Sequence, residues 1–303
     1  MSDPNRKTLI MRSPDRVTKI TPRTEQPTLG DTAQSDMIPA LSVGMVISGY
    51  KIIDVIAENT GEATLLLAAK DSEKYVMKFF HKGIVPDPAI FSKLGTIPKE
   101  FLVHPLVRAN LGDRAVYIYR YFKNGDLSKS MPLSEQVVTN TVVPSVCAAL
   151  ERIHGAGLIH RDIKPENLMW NDEKNGVLLS DFGISSLLEK GASIRRTKGS
   201  GTAGYTAPET LNGYVSAKSD YYSFGVTLLC LLMGMDPFAG MTDAQIIFNV
   251  INKQLEIPSF ISDRMRRLIK GLTIKDRGLR WGADEVKQWL SGSSQGTAPA
   301  GIG

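Results

Sequence analysis

A chain of 303 residues with 42% apolar content can bury one large core or two modest ones, which leaves little room for further domains. Its net charge of +5 is shared along the chain and gives no basis for nucleic-acid binding. Its two cysteines, Cys147 and Cys230, lie in apolar runs and read as packed thiols, not as a disulfide framework.

The N-terminus is rich in Arg, Pro and Thr and has no apolar stretch of the kind found in signal peptides. Residues 1–45, with Pro4, Pro14, Pro22, Pro27 and Pro39 among Ser, Thr and Arg, hold too little apolar surface to offset the entropy of ordering, so a disordered arm is expected. From Val46 the pattern changes. Tyr50–Ile56, Ala63–Ala69 and Tyr75–Phe80 read as strands, with turns at Asn59-Thr60-Gly61 and Asp71-Ser72, and Val116–Tyr121 reads as another. After Gly125 helical spacing takes over. Val138, Val142, Val146, Ala149, Leu150 and Ile153 share one face of a helix, with a kink expected at Pro144. Further helices are predicted over Tyr221–Met233, Asp243–Asn252, Asp263–Leu272 and Ala283–Leu290, before a loose Gly/Ser/Ala tail at 291–303. The longest apolar run, Phe224–Met235, falls short of the roughly 20 residues that span a bilayer, so a buried helix and no membrane span are expected. Together with the thiols this suggests a reducing, cytoplasmic setting. Strands followed by helices imply an α+β protein.

Two loops concentrate the chemistry. His160-Arg161-Asp162-Ile163-Lys164-Pro165-Glu166-Asn167 is followed by Asp181-Phe182-Gly183, which places a carboxylate, an ammonium, an amide and a second carboxylate close together in sequence. Moving the terminal phosphoryl group of ATP to a hydroxyl needs such a set. In order and spacing these residues resemble the signatures of the eukaryotic-like (Hanks-type) protein Ser/Thr kinases, over about residues 49–290. The resemblance implies a bilobal fold, with a small β-rich lobe at 46–122 and a larger helical lobe at 123–290. It also implies that Asp162 is the catalytic base, that Lys164 neutralises the γ-phosphate, and that Asn167 and Asp181 ligate Mg²⁺. A Lys two residues after the Asp resembles Ser/Thr kinases more than Tyr kinases.

Gly199 to Glu209 resembles the family's substrate-docking segment, which would set Thr202 between Asp162 and Lys164 and implies protein substrates. Glu209 would pair with Arg280, and Asp220 would hold the catalytic-loop backbone. Ser193, Thr197 and Ser200 are candidate sites of activating autophosphorylation, as are the threonines of the arm; each also reads as part of a flexible basic segment. Thr28-Leu29-Gly30-Asp31 resembles a phospho-Thr motif read by forkhead-associated domains, although short motifs in such arms often arise by chance and a plain linker is the better reading.

For the nucleotide, Val76-Met77-Lys78 resembles the strand motif whose lysine meets the α- and β-phosphates. Leu65, Val76 and Met169 would then sandwich adenine below Tyr119, Arg120 to Phe122 would form the hinge, and Asp126 would meet the ribose. The family's glycine-rich phosphate cover maps onto Glu58-Asn59-Thr60-Gly61-Glu62-Ala63-Thr64-Leu65, with none of its three glycines in register. The resemblance assigns Glu58, Gly61 and Ala63 to that cover, yet Glu58 and Glu62 would repel phosphate unless they point away. The helix expected to supply an acid to Lys78 spans barely two turns from Asp87-Pro88 to Leu94. Glu100 is either that acid, across an insertion, or a surface residue. Two functions follow: an ATP- and Mg²⁺-dependent protein Ser/Thr kinase, or a pseudokinase-like scaffold that binds nucleotide weakly. A small-molecule phosphotransferase fits the docking segment less well.

Overall fold

The computed structural model describes residues 41–58, 62–183 and 203–292, and the backbone of 186–187 and 195–196. Gly61, Ser193, Thr197, Ser200, Thr202, the threonines of the arm and the tail beyond Gly292 lie outside the described residues.

The N-terminal part is a six-stranded antiparallel sheet of β1 (Val46–Ile47), β2 (Tyr50–Ala57), β3 (Ala63–Lys70), β4 (Glu73–Phe80), β5 (Val107–Leu111) and β6 (Arg114–Tyr119), in the order β1-β2-β3-β4-β6-β5. Asp71 and Ser72 both adopt positive φ (50° and 65°) in the two-residue turn that closes β3 on β4, the geometry that matches the twist of a hairpin. Register shifts in the β2–β3 ladder curl the sheet. β4 lies inside, with every residue from Tyr75 to Phe80 buried. The sheet begins slightly ahead of the expected boundary, since Gly44 and Met45 already bond to Ile52.

Between β4 and β5 runs one short helix, α1 (Pro88–Leu94), capped by the Asp87 carboxylate on the Ala89 N–H. Its buried face carries Ile90 and Leu94, and Phe91 stands edge-on to Tyr117 at 4.9 Å.

The helical part starts with α2 (Glu135–Val137), continues through a π turn (Val138–Val142) and runs on as α3 (Val143–Gly155). The kink expected at Pro144 is this π turn; the proline sits in the first turn of α3, where a missing N–H is tolerated. Short strands β7 (Leu158–Ile159), β8 (Leu168–Trp170) and β9 (Val177–Leu179) carry the two chemical loops, with β8 and β9 paired antiparallel. The backbone strand β10 (Ser186–Leu187) pairs with β7, and β11 (Arg195–Arg196) pairs with β12 (Tyr214–Val215), which follows α4 (Pro208–Leu211). Then come α5 (Ala217–Met233), α6 (Asp243–Asn252), α7 (Asp263–Leu272) and α8 (Ala283–Leu290). α5 is apolar on all sides and buried from Ser219 to Leu232, so it forms the axis of this part. The largest apolar cluster joins α3, α5, α7 and α8 to Ile90, Leu94 and Phe182. Cys147 and Cys230 are buried thiols and form no disulfide. Among the described residues no helix is long and apolar enough to cross a membrane.

Candidate active site

The catalytic loop is fixed from below by Asp220, fully buried near the start of α5. Its Oδ2 accepts the His160 N–H at 2.9 Å and its Oδ1 the Arg161 N–H at 2.8 Å, while His154 Nε2 bonds Oδ2 at 2.8 Å. Arg161 is thereby held at φ +75°, a left-handed backbone that is costly for a side chain with a Cβ. The expected role of Asp220 is the one it occupies. His160 is buried, and burial pushes its pKa down, which favours the neutral ring. Nε2 donates to the Ser180 carbonyl (2.9 Å) and Nδ1 accepts the Asp162 N–H (3.3 Å), so one tautomer satisfies both bonds.

From this base Asp162 rises to meet two neighbours. Its Oδ2 lies 2.8 Å from Lys164 Nζ and 2.9 Å from Asn167 Nδ2, and Asn167 Nδ2 also reaches the Asp162 carbonyl at 2.7 Å. Committing the amide nitrogen to Asp162 turns the Asn167 carbonyl oxygen to the opposite side. The Ser180 N–H and hydroxyl both bond to the Asn167 backbone oxygen (2.9 and 3.0 Å), tying the first loop to the second. Asp181 follows with φ +59°. Phe182 packs against His160 with ring centroids 4.8 Å apart.

Across the cleft, Lys78 on β4 reaches Asp181 Oδ1 at 2.7 Å. Burial works against the Lys78 ammonium, but Asp181 and then Glu62 outweigh it and hold its pKa well above the lysine range. Burial alone would raise the Asp181 pKa; Lys78 overrides it and holds the carboxyl below its ordinary value. Asn167 and Asp181 thus offer hard oxygen donors beside a fixed cation. That donor set fits Mg²⁺ carrying phosphate oxygens, since Mg²⁺ takes few protein ligands.

The second acid on Lys78 is Glu62, at the N-terminal edge of β3, which forms an ion pair with its Nζ. Two alternatives that the sequence leaves open are thereby decided. Glu62 does not point away from the phosphate site. Glu100 is not the partner: it is exposed in a turn closed by the Phe101 N–H on the Pro98 carbonyl. The neighbouring main chain is engaged elsewhere, with Leu179 N bonded to the Phe101 carbonyl and Val103 N to the Leu179 carbonyl. The family pattern expects this acid on α1, whereas Glu62 directly precedes β3, the strand paired with β4.

Leu65, Val76, Phe122 and Met169 come together with Ala57, Val103 and Leu178 in one apolar cluster edged by Tyr119 and Tyr121. That is the shell expected for a flat base. Arg120 pairs with Asp172 and stacks over Phe122 (5.0 Å), and Asn124 bonds the carbonyls of Asn171 and Asp172, so the hinge is clamped to the β8–β9 hairpin. Two assigned residues lie elsewhere. Glu58 is exposed at the end of β2. Ala63 packs with Phe80 and Tyr117, away from the base shell. Asp126 is fully buried and caps the turn Leu127–Ser130, its Oδ1 accepting the Ser128 N–H at 3.0 Å, while its backbone bridges to Met169 of the base shell; burial pushes its pKa up.

Glu209 and Arg280 form the expected buried pair, with Nη1–Oε1 at 2.6 Å and Nη2–Oε2 at 2.9 Å. Arg280 gives its remaining N–H groups to the carbonyls of Ile274, Lys218 and Lys275, so all five donors of the guanidinium are bonded.

Residues 61–290 match the family model described as a protein kinase domain. The chain belongs to the protein kinase family. The match starts at Gly61, beyond β2 and Glu58. Among its relatives, this kinase is 34% identical over 169 residues to a probable myosin light chain kinase of Dictyostelium discoideum, covering 52% of this chain and 48% of that protein. It is 28% identical over 273 residues to a probable serine/threonine-protein kinase of the same organism (84% and 59%). With a serine/threonine-protein kinase of Arabidopsis thaliana it shares 27% over 276 residues (85% and 58%). The kinase therefore spans about half to three-fifths of the length of these relatives.

Proposed function

We propose that this chain transfers the γ-phosphoryl group of ATP to Ser or Thr hydroxyls of proteins, with Mg²⁺ as the metal. The observation that carries it is the single cluster of Asp162, Lys164 and Asn167 facing the Lys78–Asp181 pair. In this role Asp162 orients the acceptor hydroxyl and takes its proton, and Lys164, 2.8 Å away, offsets charge on the moving group. Asn167 and Asp181 would hold Mg²⁺, which screens the phosphate charge when bound. Lys78 would meet the α- and β-phosphates, while Leu65, Val76, Phe122 and Met169 would enclose adenine.

Autophosphorylation at Thr197 or Ser200, and reading of a phosphorylated Thr28 by a forkhead-associated domain, belong to the same proposal and rest on sequence. So does a reducing, cytoplasmic setting, which two buried thiols outside any disulfide support.

The test is incubation with labelled ATP, Mg²⁺ and a basic acceptor protein, beside Asp162→Asn. Label that depends on Asp162 is the expected result, with a loss of roughly 10²-fold or more in the variant. Equal labelling of both proteins overturns the proposal, as does no label on either when Mg-ATP binds.

A further inference from the structure

We infer that Glu62, at the edge of β3, is the residue that positions Lys78 for the phosphates of the nucleotide, in place of an acid on α1. The inference rests on the kinase function proposed above and adds to it a positioning residue on a different structural element.

Four observations converge on it. Glu62 is anchored, because its carbonyl accepts the His81 N–H at 2.8 Å just beyond the end of β4. Its side chain thus starts from the edge of the strand next to Lys78 and needs no other element to move before the ion pair forms. The carboxylate lies over Gly183, where a Cβ would collide with it, so the glycine after Asp181-Phe182 leaves the room it occupies. Finally, the route by which a helix acid would arrive is filled. Phe80 lies 5.2 Å beneath the Lys78 ammonium, Tyr117 stands edge-on to Phe80 at 5.2 Å, and Phe91 of α1 stands edge-on to Tyr117. The face that α1 buries is Ile90 and Leu94, without an acid.

Charge balance explains why a second acid is needed. The Lys78 side chain is 5% exposed, and a buried ammonium requires a counter-charge. Asp181 alone could supply it, but Asp181 is also the proposed metal ligand, and coordination would draw that oxygen away from the lysine. Glu62 keeps Lys78 charged and pointed into the cleft while Asp181 engages the metal. Because Glu62 directly precedes β3, the strand paired with Lys78's own strand, this orientation is independent of where α1 lies.

The test uses the full chain as wild type, Glu62→Gln and Glu62→Asp, with Asp162→Asn as the chemical control. Affinities for Mg-ADP and for adenosine are measured by calorimetry, and kcat and KM for ATP by steady-state kinetics. Glu62→Gln is expected to weaken Mg-ADP about tenfold, leave adenosine unchanged and lower kcat about tenfold or more, with Glu62→Asp recovering part of each. A purely structural role for Glu62 would weaken adenosine and Mg-ADP together and overturns the inference. So does a Glu62→Gln protein that binds Mg-ADP as tightly as wild type or more tightly, since the carboxylate would then compete with phosphate. If Glu62→Gln does not fold, Glu62→Asp decides by the same comparison. A wild type that binds Mg-ADP but labels no more than Asp162→Asn sinks the kinase proposal alone, and the binding comparison still decides the role of Glu62. No binding of Mg-ADP by wild type overturns both.

Discussion

Asp220 holds the main chain of Arg161 in a left-handed conformation, accepting its N–H at 2.8 Å while Arg161 sits at φ +75°. The acid is invisible from the cleft, yet the catalytic loop owes its shape to it. Asp220→Ala leaves the N–H groups of His160 and Arg161 without their acceptor, at about 1–3 kcal/mol for each buried group. Phosphoryl transfer should fall at least tenfold. The melting temperature should fall too, by roughly 2–4 °C for each kcal/mol lost. Calorimetry beside steady-state kinetics checks both, and an active Asp220→Ala protein with an unchanged melting curve would remove the anchoring role.

The Glu209–Arg280 pair makes stability depend on acid. Burial pushes the Glu209 carboxyl up, but the Arg280 guanidinium outweighs it and holds the group below the glutamate range. A carboxylate depressed in this way contributes its full stabilisation above the unfolded pKa of about 4.3 and loses it as pH falls through the lower folded value. In urea titrations the wild-type midpoint should therefore drop from about pH 4.3 downward. Glu209→Gln should start lower at neutral pH, by about 3–5 kcal/mol, and be flatter in acid. Parallel acid profiles for the two proteins would contradict this.

Gly225 on α5 is where α7 comes closest. A Cβ there would lie 2.7 Å from Thr273 Cγ2 and 2.8 Å from Leu272 Cβ. Alanine would favour the helix by about 1 kcal/mol, whereas overpacking a close contact costs about 1–3 kcal/mol. Gly225→Ala should thus be destabilising on balance, and Thr273→Ser in the same chain should recover part of the loss by removing the methyl group. Denaturant unfolding of the single and double variants gives the answer.

Burial, with Glu151 adding to it, pushes the Cys147 thiol up to about 11. Cys230 is buried and takes a hydrogen bond from Tyr205 at 3.3 Å. Neither should react with Ellman's reagent in the folded protein, and both should titrate in guanidinium. Release of a thiol at the start of a native assay would show that the helical core opens readily.

The helices were the most legible part of the chain. α6, α7 and α8 fall on the predicted bounds because each carries a repeating apolar face, with Thr242 and Ser262 capping the first two and Glu285 reaching back to the Gly282 N–H at the start of the third. β5 was missed: Val-Arg-Ala-Asn-Leu lies at the sheet edge and is nowhere fully buried, so it carries too few large apolar side chains to announce a strand. At the site, legibility followed sequence distance. Asp162, Lys164 and Asn167 meet within a single loop, and its spacing was enough. Lys78 and Glu62 meet only because β3 folds back on β4, and no spacing rule for a helix acid could find that partner. Asp126 also caps a turn, since Ser128 two residues on offers it an N–H.

The ring stack of Phe91, Tyr117 and Phe80 has a further outcome. Rings meeting edge to face have nothing for dissolved ions to screen, whereas an attachment through a carboxylate and an ammonium would loosen as counterions accumulate. The grip of α1 on the sheet should therefore be as firm in concentrated salt as in dilute buffer, leaving the rim of the cleft geometrically constant across ionic environments.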